Sequence, residues 1–302
     1  MPHGLPPRRA PLDPGDGRQP GGRALPQPAL RPAVHPRARR QRRRRAPLGA
    51  RPLPVSGPLA DARTAVAFLT RIPVSDGRTL DAAGLSRAAM WFPAVGLLVG
   101  GVLGGTRLLA DLAVDPAPAT LLALFAAIVI TGGFHEDGLA DVSDAYGAHV
   151  TRERRLEILK DSRVGTYGGL ALVFMVLLPF SVLVGLSGED VLLAALTAHV
   201  LGRWSVLPHS LLAAPARAGG SGTLVRATPV GLAVTSVFAV AVAVLCAGVG
   251  PGLLAVGVAV VLTFGGGLVL ARQFGGVTGD SFGAVNKVVE LATYVVLAAA
   301  WS

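Results

Sequence analysis

Carboxylates and cations crowd two short stretches of an otherwise apolar chain. Residues 132–144 read Gly-Gly-Phe-His-Glu-Asp-Gly-Leu-Ala-Asp-Val-Ser-Asp, and residues 160–168 read Lys-Asp-Ser-Arg-Val-Gly-Thr-Tyr-Gly. A helix turns about 100° per residue, so a helix from Asp137 onward holds Asp137, Asp141 and Asp144 within an arc of roughly 60°. Three like charges on one face repel one another unless a cation sits among them. The donors are hard oxygens, with no cysteine and no paired histidine nearby, which favours Mg²⁺ or Mn²⁺ over zinc. Glu136 and Asp137 also suit the positive end of a helix, but Asp141 and Asp144 lie one and two turns beyond it. His135 falls away from the three aspartates and reads as a hydrogen-bonding residue at a boundary.

The second stretch offers what an anion needs. Gly165 and Gly168 allow close backbone approach, and a helix starting near Tyr167 directs free N–H groups at an anion. Lys160, Ser162 and Arg163 stand beside those glycines as a phosphate-binding turn, while Asp161 completes the ligand set of the metal with Asp137, Asp141 and Asp144. A third polar island, residues 272–283, separates the last two apolar runs and contributes Arg272 and Asp280 to the substrate-binding wall. Glu290, inside the final apolar run, either pairs with Lys287 at i, i+3 or joins the site. Arg203 and Trp204 read equally well as a ligand cover and as interface anchors. Between the first two stretches, residues 151–160 form a short amphipathic helix with Arg152, Arg154 and Arg155 turned outward.

These groups must be held by membrane helices. The chain has 302 residues, 51% of them hydrophobic and only 15% charged, with mean hydropathy +0.55, so an ordinary soluble domain is excluded. The net charge of +10 would suggest a nucleic-acid binder. It is confined, however, to residues 1–57, which hold 13 Arg against Asp13 and Asp16. That segment is rich in Pro, Gly and Arg and poor in aromatic and β-branched residues, so it reads as a disordered arm or an over-extended start. It lacks the apolar stretch of a secretory signal. Residues 58–302 form one all-α domain, a polytopic integral membrane helical bundle.

A bilayer core needs about 20 apolar residues per helix. Seven runs qualify, near 88–110, 117–134, 167–187, 190–211, 229–249, 251–271 and 285–301. Loops carrying Lys or Arg alternate with loops around 111–116, 187–190 and 247–252 that carry none. Basic loops stay on the cytoplasmic side, so every polar motif faces the cytoplasm. Glycines such as Gly96, Gly100, Gly101, Gly104 and Gly105 mark close helix packing. Cys246, the only cysteine, has no partner in the chain for a disulfide.

Several of these motifs resemble the cobalamin synthase family, the adenosylcobinamide-GDP ribazoletransferases. The resemblance is carried by Phe68-Leu69-Thr70-Arg71-Ile72-Pro73, Phe92-Pro93-Ala94-Val95-Gly96, the acidic motif from Gly133 to Asp144, residues 160–168, and Gly275-Gly276-Val277-Thr278-Gly279-Asp280, within residues 59–300. It implies a magnesium-dependent transferase of the cell inner membrane that completes vitamin B12, with its active site facing the cytoplasm. The hydroxyl of α-ribazole, or of its 5′-phosphate, would attack the cobinamide-side phosphorus of adenosylcobinamide-GDP and expel GMP. Its implied partners are these small molecules and the bilayer, not nucleic acid, together with a second copy of the chain or other cobalamin-assembly enzymes. The alternative is a CDP-alcohol or polyprenyl-type phosphotransferase, but Asp141 follows Ala140 where that family's pattern has Arg.

Overall fold

The computed structural model describes residues 57–74, 81–217 and 225–301. The arm read at residues 1–57 lies outside them, except for Gly57. Among the described residues the chain is helical: α1 (Pro58–Leu69), α2 (Ala82–Ala88), α3 (Phe92–Ala110), α4 (Pro116–Thr131), α5 (Phe134–Gly147), α6 (Arg152–Ile158), α7 (Thr166–Leu183), α8 (Gly188–Trp204), α9 (Val206–His209), α10 (Pro229–Ala247), α11 (Val249–Phe274) and α12 (Gly279–Trp301). Six helical segments are long and apolar enough to cross a bilayer, and the bent pair α4–α5 would make a seventh.

Local sequence explains most of the starts. Proline occupies the first turn of α1, α3, α4 and α10, where its missing N–H costs nothing. Asp81, Thr151, Ser187 and Thr228 cap α2, α6, α8 and α10 by accepting a backbone N–H three residues on.

The core lies between α3, α8 and α12. Apolar burial drives little helix association in lipid, so close backbone contact and hydrogen bonding must hold the bundle. Gly96 and Gly100 of α3 meet the backbone of α8: an added Cβ would stand 2.5 Å from His199 O at the first and 2.6 Å from Ala195 O at the second. Gly104 meets Leu192 in the same way, whereas Gly101 and Gly105 face open space. The stripe expected from sequence is thus a contact on one face only. The outward residues, such as Phe125 on α4, Phe174 on α7 and Leu245 on α10, are large and apolar, as a lipid-facing surface requires.

Arg107 is buried at the far end of α3. It pairs with Asp111 at 2.8 Å and donates to Thr120 Oγ1, Leu183 O and Leu186 O at 3.0, 3.2 and 3.2 Å. That pairing ties α3 to the ends of α4 and α7 and keeps a cation there without exposing it.

Two features differ from the sequence reading. The helix expected from residue 285 begins at Gly279, so Asp280 lies in its first turn, and only residues 275–278 remain as loop. The reason is local, because Thr278 and Ser281 cap each other's backbone N–H groups, each at 3.0 Å. Arg154 is exposed as expected, and Arg152, also exposed, and Arg155, half-buried, are tied back to α11. Arg152 donates to Phe274 O at 2.9 Å and Arg155 bonds Gln273, which anchors α6 to the end of α11.

Candidate active site

Gly132 and Gly133 both adopt left-handed backbone, with φ of 67° and 69°. Their N–H groups close α4 onto Val129 O and Ile128 O, and the next helix leaves at 90°. Only glycine takes two such residues in succession without steric cost. α5, which is not one of the six helices long enough to cross by themselves, therefore lies across the end of α4 and packs on the start of α12. A Cβ at Gly138 would stand 3.0 Å from Asp280 O and 3.4 Å from Gly283 Cα, so two glycines let these helices touch.

That contact collects the carboxylates. Asp137 is exposed at the cavity described below, and Asp141 is partly buried. Burial, then the negative charges of Asp137, Asp280 and Asp144, push the Asp141 carboxyl up to about 7. Asp144 is held by the start of α7: its two oxygens accept the N–H of Gly165 at 2.7 Å and of Gly168 at 2.9 Å. The anion expected at that helix terminus is thus one of the chain's own aspartates. A Cβ at Gly165 would fall 2.5 Å from the same carboxylate, which explains the glycine there.

The other expected residues are less closely gathered. Asp161 receives Arg163 through three side-chain bonds of 2.6 to 3.1 Å and one from its backbone N–H at 3.1 Å. This grip holds the Asp161 carboxyl down to about 2. Its charged neighbours are Arg163 and Arg154, so the structure does not bring it to the α5 cluster. Lys160, Ser162, Arg163, Gly165 and Arg272 are exposed. Asp280, expected among the substrate-binding residues, stands with the acidic face.

Behind that face runs a buried polar chain that joins α5, α8 and α12. Lys287 lies 3.1 Å from Glu136 Oε1 and also pairs with Glu290. Glu290 Oε2 reaches His199 Nδ1 at 2.9 Å, Arg203 stands 3.0 Å from the same nitrogen, and Tyr294 Oη lies 3.3 Å from His199 Nε2. Arg203 therefore serves this network rather than a ligand cover, and Trp204 donates to Ser236 Oγ at 2.9 Å. Glu136 and Lys287 are 151 positions apart, a pairing that no local spacing signals.

A cavity of about 520 Å³ opens beside the acidic helix. Phe68, Arg71, Gly132, Phe134, Glu136, Asp137 and Leu172 are among its walls. Arg71 lies within the Thr-Arg-Ile-Pro motif, where nothing in its local sequence marks it as a site residue.

The donors suit a hard divalent cation in kind, since all are carboxylate oxygens, and burial together with their mutual repulsion raises Asp141. Among the described residues no three Asp, Glu, His or Cys side chains are close enough to hold one ion. Asp144 is engaged by amides and Asp161 by Arg163, so the ligand set read from sequence is only partly assembled.

The profile of the family described as Cobalamin-5-phosphate synthase matches residues 61–298. Curated relatives match most of the chain. An adenosylcobinamide-GDP ribazoletransferase of Bradyrhizobium diazoefficiens is 40% identical over 249 residues, covering 80% of this chain and 94% of the relative. Its namesakes in Shewanella amazonensis and a Roseiflexus species are 38% and 34% identical, covering 79% and 80% of this chain and 94% and 90% of theirs. No solved structure matches the chain. With the acidic helix, the glycine-flanked turn and the last polar loop all inside the matched span, the chain belongs to the cobalamin-5-phosphate synthase family.

Proposed function

We propose that this chain is an adenosylcobinamide-GDP ribazoletransferase that works with Mg²⁺ at the cytoplasmic face of the membrane. The observation that carries the reading is the convergence of Asp137, Asp141, Asp144 and Asp280 at the α5–α12 contact, in a chain 40% identical to a relative of that name. The hydroxyl oxygen of α-ribazole, or of its 5′-phosphate, forms the new bond to the cobinamide-side phosphorus. The bond from that phosphorus to the oxygen of the GMP phosphate breaks, and GMP leaves with the electron pair. The hydroxyl proton passes to an aspartate of the cluster and then to water.

Asp137 and Asp141, with Asp144 and Asp280 beside them, would hold the metal once their side chains close on it, and the ion would supply charge neutralisation for the diphosphate. Asp161 joins them only by releasing Arg163. Lys160 and Arg163, exposed on the turn before α7, take up charge on the departing phosphate. The cytoplasmic orientation is supported by the loop charges and by the burial of Arg107 at the opposite end.

The test is purified protein in lipid with adenosylcobinamide-GDP, either acceptor and Mg²⁺, read as GMP release. Turnover should stop with chelator and return with added Mg²⁺. Protein that releases no GMP from either acceptor in Mg²⁺ would sink the assignment, and chelator-resistant turnover would remove the metal from it.

A further inference from the structure

Arg71 is a cation whose guanidinium has no hydrogen-bonded or ion-paired acceptor among the described residues. Its backbone N–H donates to Ile130 O at 2.7 Å, which fixes the segment after α1 against the end of α4. The guanidinium lies over Gly132, where any side chain would collide with it. A helix C-terminus favours a cation, which explains why it rests there. The last carbonyls of α4 do not engage it, however: Ile128 O, Val129 O and Ile130 O accept the N–H groups of Gly133, Gly132 and Arg71 itself. On this exposed residue the side-chain donors are left to solvent and to the cavity it lines.

That cavity has two chemically distinct walls. Phe68 and Phe134 meet edge to face at 5.2 Å, Phe68 stacks on Phe92 at 5.9 Å, and Leu172 extends the apolar side. The polar side carries Arg71, Glu136 and Asp137. Glu136 is offset by Lys287 at 3.1 Å and Asp137 is an exposed carboxylate, so Arg71 is the one cation among the cavity's lining residues. A flat apolar base against the rings and a phosphate on a guanidinium describe a nucleoside monophosphate. A cavity of about 520 Å³ is in the range that encloses a ligand of that size. A corrinoid is far too large for it.

We infer that this cavity seats the acceptor nucleotide and that Arg71 selects the 5′-phosphorylated acceptor over the free nucleoside. The inference rests on the proposed ribazole transfer and deepens it, since the family is described by a 5-phosphate product and what is added here is the residue that reads that phosphate. Arg71 binds the phosphate through its planar fork of N–H donors. Phe68 and Phe134 hold the base and point its sugar toward Asp137.

The experiment compares kcat/KM for α-ribazole 5′-phosphate and α-ribazole in the lipid-reconstituted protein, with GMP release as readout. The wild-type chain should favour the phosphorylated acceptor. In Arg71→Met that preference should fall by at least about tenfold, carried mainly by KM for the phosphorylated acceptor. Arg71→Lys, which keeps the charge but loses the fork, should restore part of it. Equal losses with both acceptors would place Arg71 on the donor diphosphate or in the fold and overturn the inference, as would a wild-type chain indifferent to the phosphate. Absence of GMP release from the wild-type chain with either acceptor would instead bring down the underlying activity.

Discussion

Asp141 and Asp144 share one helix face yet should respond in opposite directions to the same substitution. In Asp144→Asn, one of the two oxygens that accept Gly165 N and Gly168 N becomes an amide nitrogen, so one bond is lost and two donors face each other. The charge at the start of α7 is lost as well. A hydrogen bond to a charged acceptor is worth about 1.5–3 kcal/mol and a carboxylate at a helix N-terminus about 0.3–1 kcal/mol, so a cost of about 2 kcal/mol is expected. For a chain of this size that lowers Tm by roughly 4–8 °C.

Asp141→Asn removes instead a carboxylate that its surroundings oppose. Its carboxyl is raised to about 7 from the ordinary value of 3.8, so the folded chain binds the proton more tightly than the unfolded chain. Metal-free wild-type protein therefore loses stability as pH rises from about 4 through 7, and the substituted chain escapes that loss. Thermal unfolding in detergent with chelator, at pH 5 and pH 8, reads both effects. Asp141→Asn should gain on the wild type between the two pH values, while Asp144→Asn should lie below it at both. An Asp141→Asn protein less stable than wild type at pH 8 without metal, or an Asp144→Asn protein with unchanged Tm, would refute the assignment of these two environments.

Lys287→Met strands Glu136 and Glu290 in the interior. Removing one partner of a buried ion pair costs about 3–5 kcal/mol, so Tm should drop by roughly 10 °C. Adding Glu290→Gln should restore part of the loss, and a Lys287→Met protein as stable as wild type would show that the buried network contributes nothing. If the loop charges set the orientation, single cysteines at the exposed positions His149 and Arg272, near Gly147 and Thr278, in a Cys246→Ser background should react with an impermeant thiol reagent only from the cytoplasmic side. Labelling from outside would invert the topology.

Much of this architecture is written in local sequence, because membrane helices are dictated by runs of apolar residues and by what interrupts them. The spans, the break at Gly132–Gly133, the acidic helix after it and the capped starts of α2, α6, α8 and α10 all depend on residues within a few positions of one another. So does the grouping of Asp137, Asp141 and Asp144 on one face, a consequence of helical pitch. The sequence also placed Asp280 and Asp161 near the chemistry, but it could not rank them. Packing did that: the Gly138–Gly283 contact brings Asp280 to the acidic face, whereas Asp161 closes on Arg163 two residues away.

The same limit applies to Arg71 and Lys287, whose surroundings are built from segments far apart in the chain. Arg71 meets Gly132 only because α1 returns to the end of α4, and Lys287 meets Glu136 only because α5 turns by 90° onto α12. Local periodicity determines which residues share a helix face. Which faces meet, and therefore which charges are neutralised and which are left for a ligand, follows from backbone contacts between helices that no single segment encodes.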